Sequence, residues 1–252
     1  MSIENPEYWE NRYQEKTDRW DLGQAAPPFV SLLDSPRSPL AGKVAVLGCG
    51  RGYDALLFAT HGFEVMGFDF APLAIAQATA LAQATGSSAK FLQRDIFDLP
   101  TEFPNYFDYV IEHTCFCAID PSQRPAYVKL VHSILQPEGE LIGLFWAHTR
   151  PGGPPFGTTP DQIQQYFEAD FAILSLEQVT NSVPGRQGEE YLGRFRKKYE
   201  VWSVKYEIFT FSLQPSAFKN PCLWSMYRYT KNGNSRLIRV KKVIVNTWLI
   251  PA

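Results

Sequence analysis

Three groups of residues in this chain have the types and spacing to do chemistry. The first is a glycine turn, Gly48-Cys-Gly-Arg-Gly52, placed directly after the apolar run Val44-Ala-Val-Leu47 and before the amphipathic run Asp54–Thr60. An apolar run that stops at glycines and passes into helical periodicity predicts a buried strand, a tight turn and a helix. Glycines at that junction permit positive φ and let a ligand lie against the backbone, where the free N–H groups of a helix N-terminus face it. The second group is a pair of acids at the ends of expected strands. Asp69 closes Phe63-Glu-Val-Met-Gly-Phe-Asp69, nineteen positions after Gly50, and Asp95 lies at the end of a run over residues 90–96. A carboxylate at Asp69 can accept from both hydroxyls of a ribose, each charge-assisted bond contributing roughly 1.5–3 kcal/mol; the alternative is an Asp that caps the following helix. The third group is aromatic, proline-rich and basic: Trp9, Tyr13 and Trp20 near the start, then His113, Phe116, Trp146, Arg150, Pro154, Pro155 and Phe156.

Spacing separates the ligands such a turn could seat. The dinucleotide fingerprint G-x-G-x-x-G needs its third glycine for close strand–helix packing. Here that place is held by Tyr53, and the glycine falls one residue early, at Gly52. A large ring at the packing position argues against NAD or FAD. The G-x-G-x-G form resembles motif I of class I S-adenosylmethionine-dependent methyltransferases, and the strand closing on Asp69 is the second element of that reading.

From Val44 onward the chain alternates strand and helix with short joints, the pattern of βαβ units and a parallel sheet. Strands are expected over 63–69, 90–96, 107–113, 140–147, 171–179 and 191–197. Helices are expected over 54–61, 72–85, 124–135 and 160–168, the last opened by Thr159-Pro-Asp-Gln162, a capping box with Pro at N1. The last two strands flank only an irregular segment, so they should pair antiparallel. The expected fold is α/β: a seven-stranded, mostly parallel, doubly wound Rossmann-like sheet with an antiparallel last strand. In such sheets ligands sit beyond the carboxyl ends of the strands, which gathers Gly48–Gly52, Asp69, Asp95, His113 and the loop after Trp146 on one edge. Ahead of the sheet, residues 5–16 and 27–33 read as short helices. Trp9, Tyr13 and Trp20 there are either packing residues or an aromatic lid that excludes water and faces a cation.

The 252 residues carry 24 Lys and Arg against 26 Asp and Glu, a near balance that does not advertise nucleic-acid or membrane binding. The balance is uneven along the chain: residues 1–198 hold 16 basic against 24 acidic residues, net −8, and residues 199–252 hold 8 against 2, net +6. No apolar run reaches transmembrane length and the first residues are polar and acidic, so a cytoplasmic protein is expected. The four cysteines, Cys49, Cys115, Cys117 and Cys222, read as free thiols in a reducing compartment, and no metal site is expected.

With these positions placed, the chain resembles the thiopurine methyltransferase superfamily, especially its thiol and halide branch. The resemblance rests on Trp9, Trp20-Asp-Leu-Gly23, Leu47–Asp54, Gly67-Phe-Asp69, Asp95-Ile-Phe97, Phe116-Cys-Ala-Ile-Asp-Pro121, Leu135–Leu141, Gly152-Gly-Pro-Pro-Phe156 and Gly193-Arg194, in the family's order over about residues 5–198. It implies S-adenosylmethionine as cofactor and a small-molecule methyl acceptor: a thiol, bisulfide, thiocyanate, halide or thiopurine-like nucleophile. It implies that Trp9, Tyr13 and Trp20 line or close the cofactor site, that Gly48 and Gly50 back its methionine part, that Asp69 holds its ribose and that Asp95 and Ile96 contact its adenine. His113 stands where the branch often has Tyr, next to the methyl group, and is the candidate catalytic residue; the alternative is a hydrogen-bonded structural histidine at a strand end. Phe116, Trp146, Arg150, Pro155 and Phe156 would wall the acceptor pocket, with His113 or Arg150 attracting an anion. Rival readings are methylation of another small molecule or of RNA, and a non-catalytic domain that binds the cofactor to regulate a partner.

The domain expected from the resemblance is residues 1–198, with 1–40 forming lid helices; a monomer with no membrane or nucleic-acid partner is expected. Residues 199–252 form a basic, aromatic extension in which Tyr199–Leu213 partly alternates and could be a strand.

Overall fold

The computed structural model describes residues 2–198 and the backbone of Ser225–Lys231 and Asn234–Val240. The chain divides into two compact units, Met1–Tyr199 and Glu200–Ala252. The first is built on a seven-stranded sheet of β1 (Lys43–Leu47), β2 (Glu64–Asp69), β3 (Lys90–Gln93), β4 (Phe107–His113), β5 (Leu135–Trp146), β6 (Phe171–Gln178) and β7 (Glu190–Lys197). Their spatial order is β3-β2-β1-β4-β5-β7-β6, parallel except that β7 runs against both β5 and β6. The mostly parallel α/β sheet with a reversed last strand is therefore as the sequence pattern implies.

The helices are α1 (Pro6–Gln14), α2 (Pro27–Leu33), α3 (Tyr53–Thr60), α4 (Pro72–Thr85), α5 (Leu99–Glu102), α6 (Arg124–Ile134) and α7 (Pro160–Phe167). Local chemistry sets their ends. Helix α4 starts with proline at its first position and stops at Gly86, whose φ of 67° turns the chain out. Helix α7 carries the capping box, with the Gln162 N–H donating to Thr159 Oγ1 at 3.2 Å and the Thr159 N–H to Gln162 Oε1 at 3.1 Å.

Alternation along the central strands builds a core on each face of the sheet. Ala45, Leu47, Val110, Leu141 and Phe145 face one cluster completed by Tyr127 and Val131 of α6 and Phe167 of α7. Val44, Val46, Ile111, Ile142 and Leu144 face the other, with Phe29 of α2 and Phe58 of α3. Burial on both sides is why these strands read as continuous apolar runs.

Helix α5 was not expected, and two strands differ in extent from expectation. Strand β3 stops at Gln93, and Ile96–Asp98 form a turn of 3-10 helix whose first N–H groups are met by Asp95: Phe97 N donates to Asp95 Oδ1 at 2.9 Å. A short side-chain acceptor offered to the backbone competes with the ladder and ends the strand. Strand β5 begins at Leu135 rather than Glu140, pairing with Phe107 before a register shift that brings Glu140 opposite Tyr109. The residues between them are absorbed around Glu138, whose φ is 66°.

Among the described residues no helix is long and apolar enough to cross a membrane. In the second unit, β8 (Ser225–Lys231) and β9 (Asn234–Val240) pair antiparallel with Lys231 opposite Asn234. The intervening sequence is Asn232-Gly233, the strongest short hairpin signal a sequence offers. The strand expected over Tyr199–Leu213 lies outside the described residues.

Gly52 performs the packing that the dinucleotide pattern assigns to a later glycine. Its φ is 80°, and a Cβ there would lie 2.6 Å from the Phe91 ring of β3 and 3.1 Å from Ala78 of α4. Tyr53 is thereby free to be the first residue of α3. Substituting Gly52→Ala should lower stability by about 1–3 kcal/mol, read as a reduced urea midpoint with unchanged slope.

Candidate active site

The site starts from the turn between β1 and α3. Gly48, Gly50 and Gly52 all have positive φ, at 57°, 52° and 80°. Cys49 N donates to Phe68 O at 2.9 Å, carrying the β1–β2 ladder one step beyond the strands. Gly50 N then donates to Asp69 Oδ2 at 3.0 Å, while Ala71 N donates to Asp69 Oδ1 at 2.9 Å. Asp69 thus pins the glycine turn and shapes the entry to α4 with the same carboxylate. A carboxylate has about four acceptor positions, so this leaves capacity for a ligand. The group is 7% exposed, and burial pushes its pKa up to about 6; the N–H groups of Ala71, Gly50 and Phe70 oppose that rise.

Above this turn lies a cavity of about 560 Å³, within the range of small-ligand sites. Gly48 and Asp69 form one end, Asp95, Ile96 and Phe97 a second side, and Thr114, Cys115, Cys117, Ala118 and Ile119 a third. Trp146 contributes from the end of β5, and Pro154 and Pro155 from the loop after it. The N-terminal segment covers it with Trp9, Arg12, Tyr13, Arg19 and Trp20. The three rings meet edge to face, Trp9–Trp20 at 5.3 Å and Tyr13–Trp20 at 5.6 Å between centroids.

That cover is fastened by charge. Glu10 of α1 accepts from Leu73 N at 2.9 Å, at the N-terminus of α4. The Arg51 guanidinium in the glycine turn pairs with Asp18 and Asp21 and donates from Nε to Gln77 Oε1 at 2.8 Å. Asp54 Oδ1 accepts from Ala26 N at 2.8 Å. The turn that floors the cavity therefore also holds its cover.

Of the residues singled out by sequence, Trp9, Tyr13, Trp20, Gly48, Asp69, Asp95, Ile96, Trp146 and Pro155 line this one cavity. Gly50 and His113 do not. They border a smaller space of about 60 Å³ that shares Tyr13, Trp20, Gly48 and Thr114 with the first. The His113 ring is engaged at both nitrogens: Nδ1 donates to Asp54 Oδ2 at 2.7 Å, and Nε2 accepts from Arg186 Nη1 at 2.9 Å. Its edge also rests on Phe29. The ring is thus held between Asp54 and Arg186, beside Gly48, Tyr13, Trp20 and Thr114, which line both spaces. Phe116 is 1% exposed inside the core, because the backbone turns at Thr114 (φ 62°) before the loop begins. Arg150 is on the surface, bidentate to Glu189 at 2.6 and 2.8 Å, and Phe156 stands outside the lining with its N–H donated to Cys117 O at 2.6 Å.

Two residues that organise the site were missed by sequence reasoning. Glu112, 1% exposed, accepts from Cys115 N at 3.1 Å and Phe116 N at 2.9 Å, and from the Tyr127 hydroxyl at 2.7 Å. Burial pushes its carboxyl up, against the lowering by those donors. Arg124, 2% exposed, donates to Phe156 O and Gly157 O, both at 3.1 Å, and lies 4.8 Å over the Phe116 ring. Together they lock the loop after β4 to the proline loop after β5. The only signal in sequence was a charged residue inside an apolar run, Glu112 after Val110-Ile111, which a buried partner must explain.

Residues 4–205 match the thiopurine S-methyltransferase (TPMT) family. Thiocyanate methyltransferase 1 of Arabidopsis thaliana is 36% identical over 197 residues, covering 75% of this chain and 84% of the relative. Probable thiol methyltransferase 2 of the same plant is 32% identical over 202 residues, covering 78% and 88%. Among solved structures, a 1,6-didemethyltoxoflavin-N1-methyltransferase from Burkholderia thailandensis, with S-adenosylhomocysteine bound, superposes with a TM-score of 0.63 at 20% identity, covering 77% of this chain and 87% of that one. At that identity it supports the fold.

Removing Glu112 strands three buried donors, so Glu112→Ala should destabilise by about 2–5 kcal/mol in urea unfolding. Glu112→Gln should cost less than about 1.5 kcal/mol, since its oxygen can keep both N–H groups while the Tyr127 hydroxyl reverses to accept.

Proposed function

We propose that the chain, which belongs to the thiopurine S-methyltransferase family and transfers methyl groups from S-adenosylmethionine to a small soft nucleophile, binds its donor between the glycine turn and Asp69 under the N-terminal aromatic cover. The observation that carries this reading is the single cavity lined by Gly48, Asp69, Asp95, Ile96, Trp9, Tyr13 and Trp20. The residues fit the group. At Gly48 a Cβ would lie 3.1 Å from Cys115 Sγ, and at Gly50 a Cβ would meet the Tyr13 hydroxyl at 3.1 Å, so only glycine leaves the backbone open to a ligand there. Asp69 would accept from the ribose hydroxyls; Asp95 and Ile96 lie where the adenine would be flanked. Rings from Trp9, Tyr13 and Trp20 would exclude water and present electron-rich faces to a sulfonium.

The donor supplies an activated methyl on a neutral leaving group. What remains for the protein is to align the nucleophile, a contribution of up to roughly 7–11 kcal/mol. The chain's own residues suit that task. No histidine or lysine lines the cavity among the described residues, so a nucleophile that is already anionic or readily ionised is favoured over one needing a strong base. Trp146, Ile119, Pro154 and Pro155 offer an apolar wall on which such a nucleophile sheds water. The two thiols in the wall do not compete for the methyl group. Burial is the main cause pushing Cys117 up to about 12 and Cys115 well above the ordinary thiol range, so both stay protonated. The acceptors that suit this wall are thiols, bisulfide, thiocyanate, halides and thiopurine-like thiols. Methyl transfer from labelled donor to bisulfide, thiocyanate, iodide and aromatic thiols, with headspace analysis, tests the reading. Turnover on none of them, with donor bound, would remove the acceptor class.

A pH dependence follows from Asp69. Ribose hydroxyls donate to the ionised carboxylate, and burial has raised its pKa to about 6. Donor affinity should therefore be flat above that value and fall as pH drops through it, roughly tenfold by about pH 5. Calorimetry with S-adenosylhomocysteine should show this in the native chain. Asp69→Asn should give weaker binding with no such fall.

A further inference from the structure

The two residues from which sequence suggested an anion contact are both occupied elsewhere: Arg150 by Glu189, and His113 by Asp54 and Arg186. The remaining arginines show where uncompensated positive charge does lie. Residues 1–198 contain ten arginines. Arg37, Arg51, Arg94, Arg150, Arg186, Arg194 and Arg196 each pair with a carboxylate, and Arg124 is held by two carbonyls. Arg12 and Arg19 alone among them have neither kind of partner, and both line the 560 Å³ cavity, Arg19 from an exposed position and Arg12 from a half-buried one. Arg12 is nevertheless held in place, its guanidinium 4.4 Å over the Tyr8 ring and donating to the Tyr8 hydroxyl. Arg19 is exposed, and its side chain has no hydrogen bond or ion pair among the described residues.

We propose that Arg12 and Arg19 form a cationic rim that captures the methyl acceptor as an anion and delivers it to the neutral wall of Thr114, Cys117, Ile119 and Trp146. This rests on the methyl-transfer reading above and deepens it by choosing anionic acceptors over uncharged ones. Two fixed positive charges at the entrance of a low-dielectric cavity raise the local concentration of an incoming anion. Guanidinium is more weakly hydrated than ammonium, so it surrenders a soft, weakly hydrated anion at low desolvation cost. The wall beyond carries no fixed charge to trap the anion on its way. The opposing charges on the lining are Asp69 and Asp95, both bonded to backbone N–H groups, and Glu4 on the rim itself. Arg94, also on the lining, is neutralised by Glu102 at 2.9 Å.

The test compares the native chain with Arg19→Gln, the double variant Arg12→Gln/Arg19→Gln, and Glu4→Gln. Thiocyanate serves as the anionic acceptor and an alkanethiol, uncharged at neutral pH, as the contrast. The double variant should raise the KM for thiocyanate roughly tenfold, with the loss on KM rather than kcat, and should abolish most of its salt dependence. Its KM for the alkanethiol should move less than about twofold. Arg19→Gln should show part of the effect without any folding defect, because the side chain is exposed and unbonded, and Glu4→Gln should lower the thiocyanate KM. Calorimetry of thiocyanate binding to protein saturated with S-adenosylhomocysteine gives a readout independent of turnover. An unchanged thiocyanate KM in the double variant would overturn the proposal. So would a parallel loss of S-adenosylhomocysteine affinity, which would assign the arginines to the donor's carboxylate. Salt-sensitive thiocyanate binding that disappears in the double variant, in a chain that methylates no acceptor, would keep the rim and sink the methyl-transfer reading alone.

Discussion

One hydrogen bond, from the Gly50 N–H to the Asp69 carboxylate at 3.0 Å, ties the turn after β1 to the end of β2, and the rest of the site hangs from that tie. The turn needs three residues with positive φ in five positions, a conformation that costs little only for glycine. Left unsupported, its N–H groups would be held by water. Asp69 gives them an acceptor inside the protein and becomes buried in doing so, which is why its carboxyl titrates near 6 instead of in the ordinary range. The turn then serves two masters in space. Its upper face is the end of the cavity, and its side chains Arg51 and Asp54 reach outward to hold residues 18–26 of the cover. Floor and cover are thus built from one seven-residue stretch, so distortion of either is felt in the other.

The order of elements was legible because it depends on short-range pattern. Apolar runs separated by amphipathic ones require βαβ units, and the irregular connector before β7 allows no parallel crossover. The same holds for the capping box at Thr159 and the stop at Gly86, each a purely local bond set. Residues on the cavity were legible where they sit at strand ends, as with Asp69, or on a helix whose face is fixed by periodicity, as with Trp9 and Tyr13. His113, Phe116, Arg150 and Phe156 were not, for a common reason. The direction of each of these side chains is set by partners distant in sequence. Arg186 comes from 73 positions away to fix His113. Glu112 bends the chain so that Phe116 turns into the core, where it meets Tyr127, Phe145 and Phe167. The Asn-Gly pair at 232–233 is a different case: the hairpin signal stands in the sequence, but the pairing of Ser225–Lys231 with Asn234–Val240 was not read from it.

The loops that form the acceptor side owe their shape to charges that never reach it. Glu112 and Arg124 are buried ionisable groups whose hydrogen bonds go to backbone atoms or Tyr127, with Arg124 Nε left without a partner among the described residues. Their expense in desolvation is offset by donors and acceptors of the opposite character, and the result is a rigid, uncharged wall. Arg186 does the same on the other side. It joins Glu190, His113 and the Trp20 carbonyl and lies 4.8 Å over the Trp146 ring, so it orients a lining residue without lining the cavity. Charge is used here to build a neutral surface. A chemistry that needs alignment and a dry pocket, more than proton transfer, is served by that arrangement.

The same accounting explains why bulk charge misleads about this site. Residues 1–198 carry a net charge of −8, which taken alone argues against an anionic ligand. Screening confines exposed charges to about one Debye length, roughly 8–10 Å at ordinary ionic strength, so what an approaching ion meets is the local set and not the sum. On the cavity lining that set is Arg12 and Arg19 against Glu4 and Asp95, with Asp69 buried and tied to the Gly50 N–H. Elsewhere seven arginines pair with acids, as in the Glu140–Arg194–Arg196 group on β5 and β7, where two guanidinium groups share the Glu140 carboxylate and Arg196 also reaches Glu138. Pairing of that kind weakens the field of each partner and leaves Arg12 and Arg19 as the lining arginines without a carboxylate or carbonyl partner. An acidic protein can in this way present a cationic door, provided its other arginines are engaged first, and in this chain all eight are.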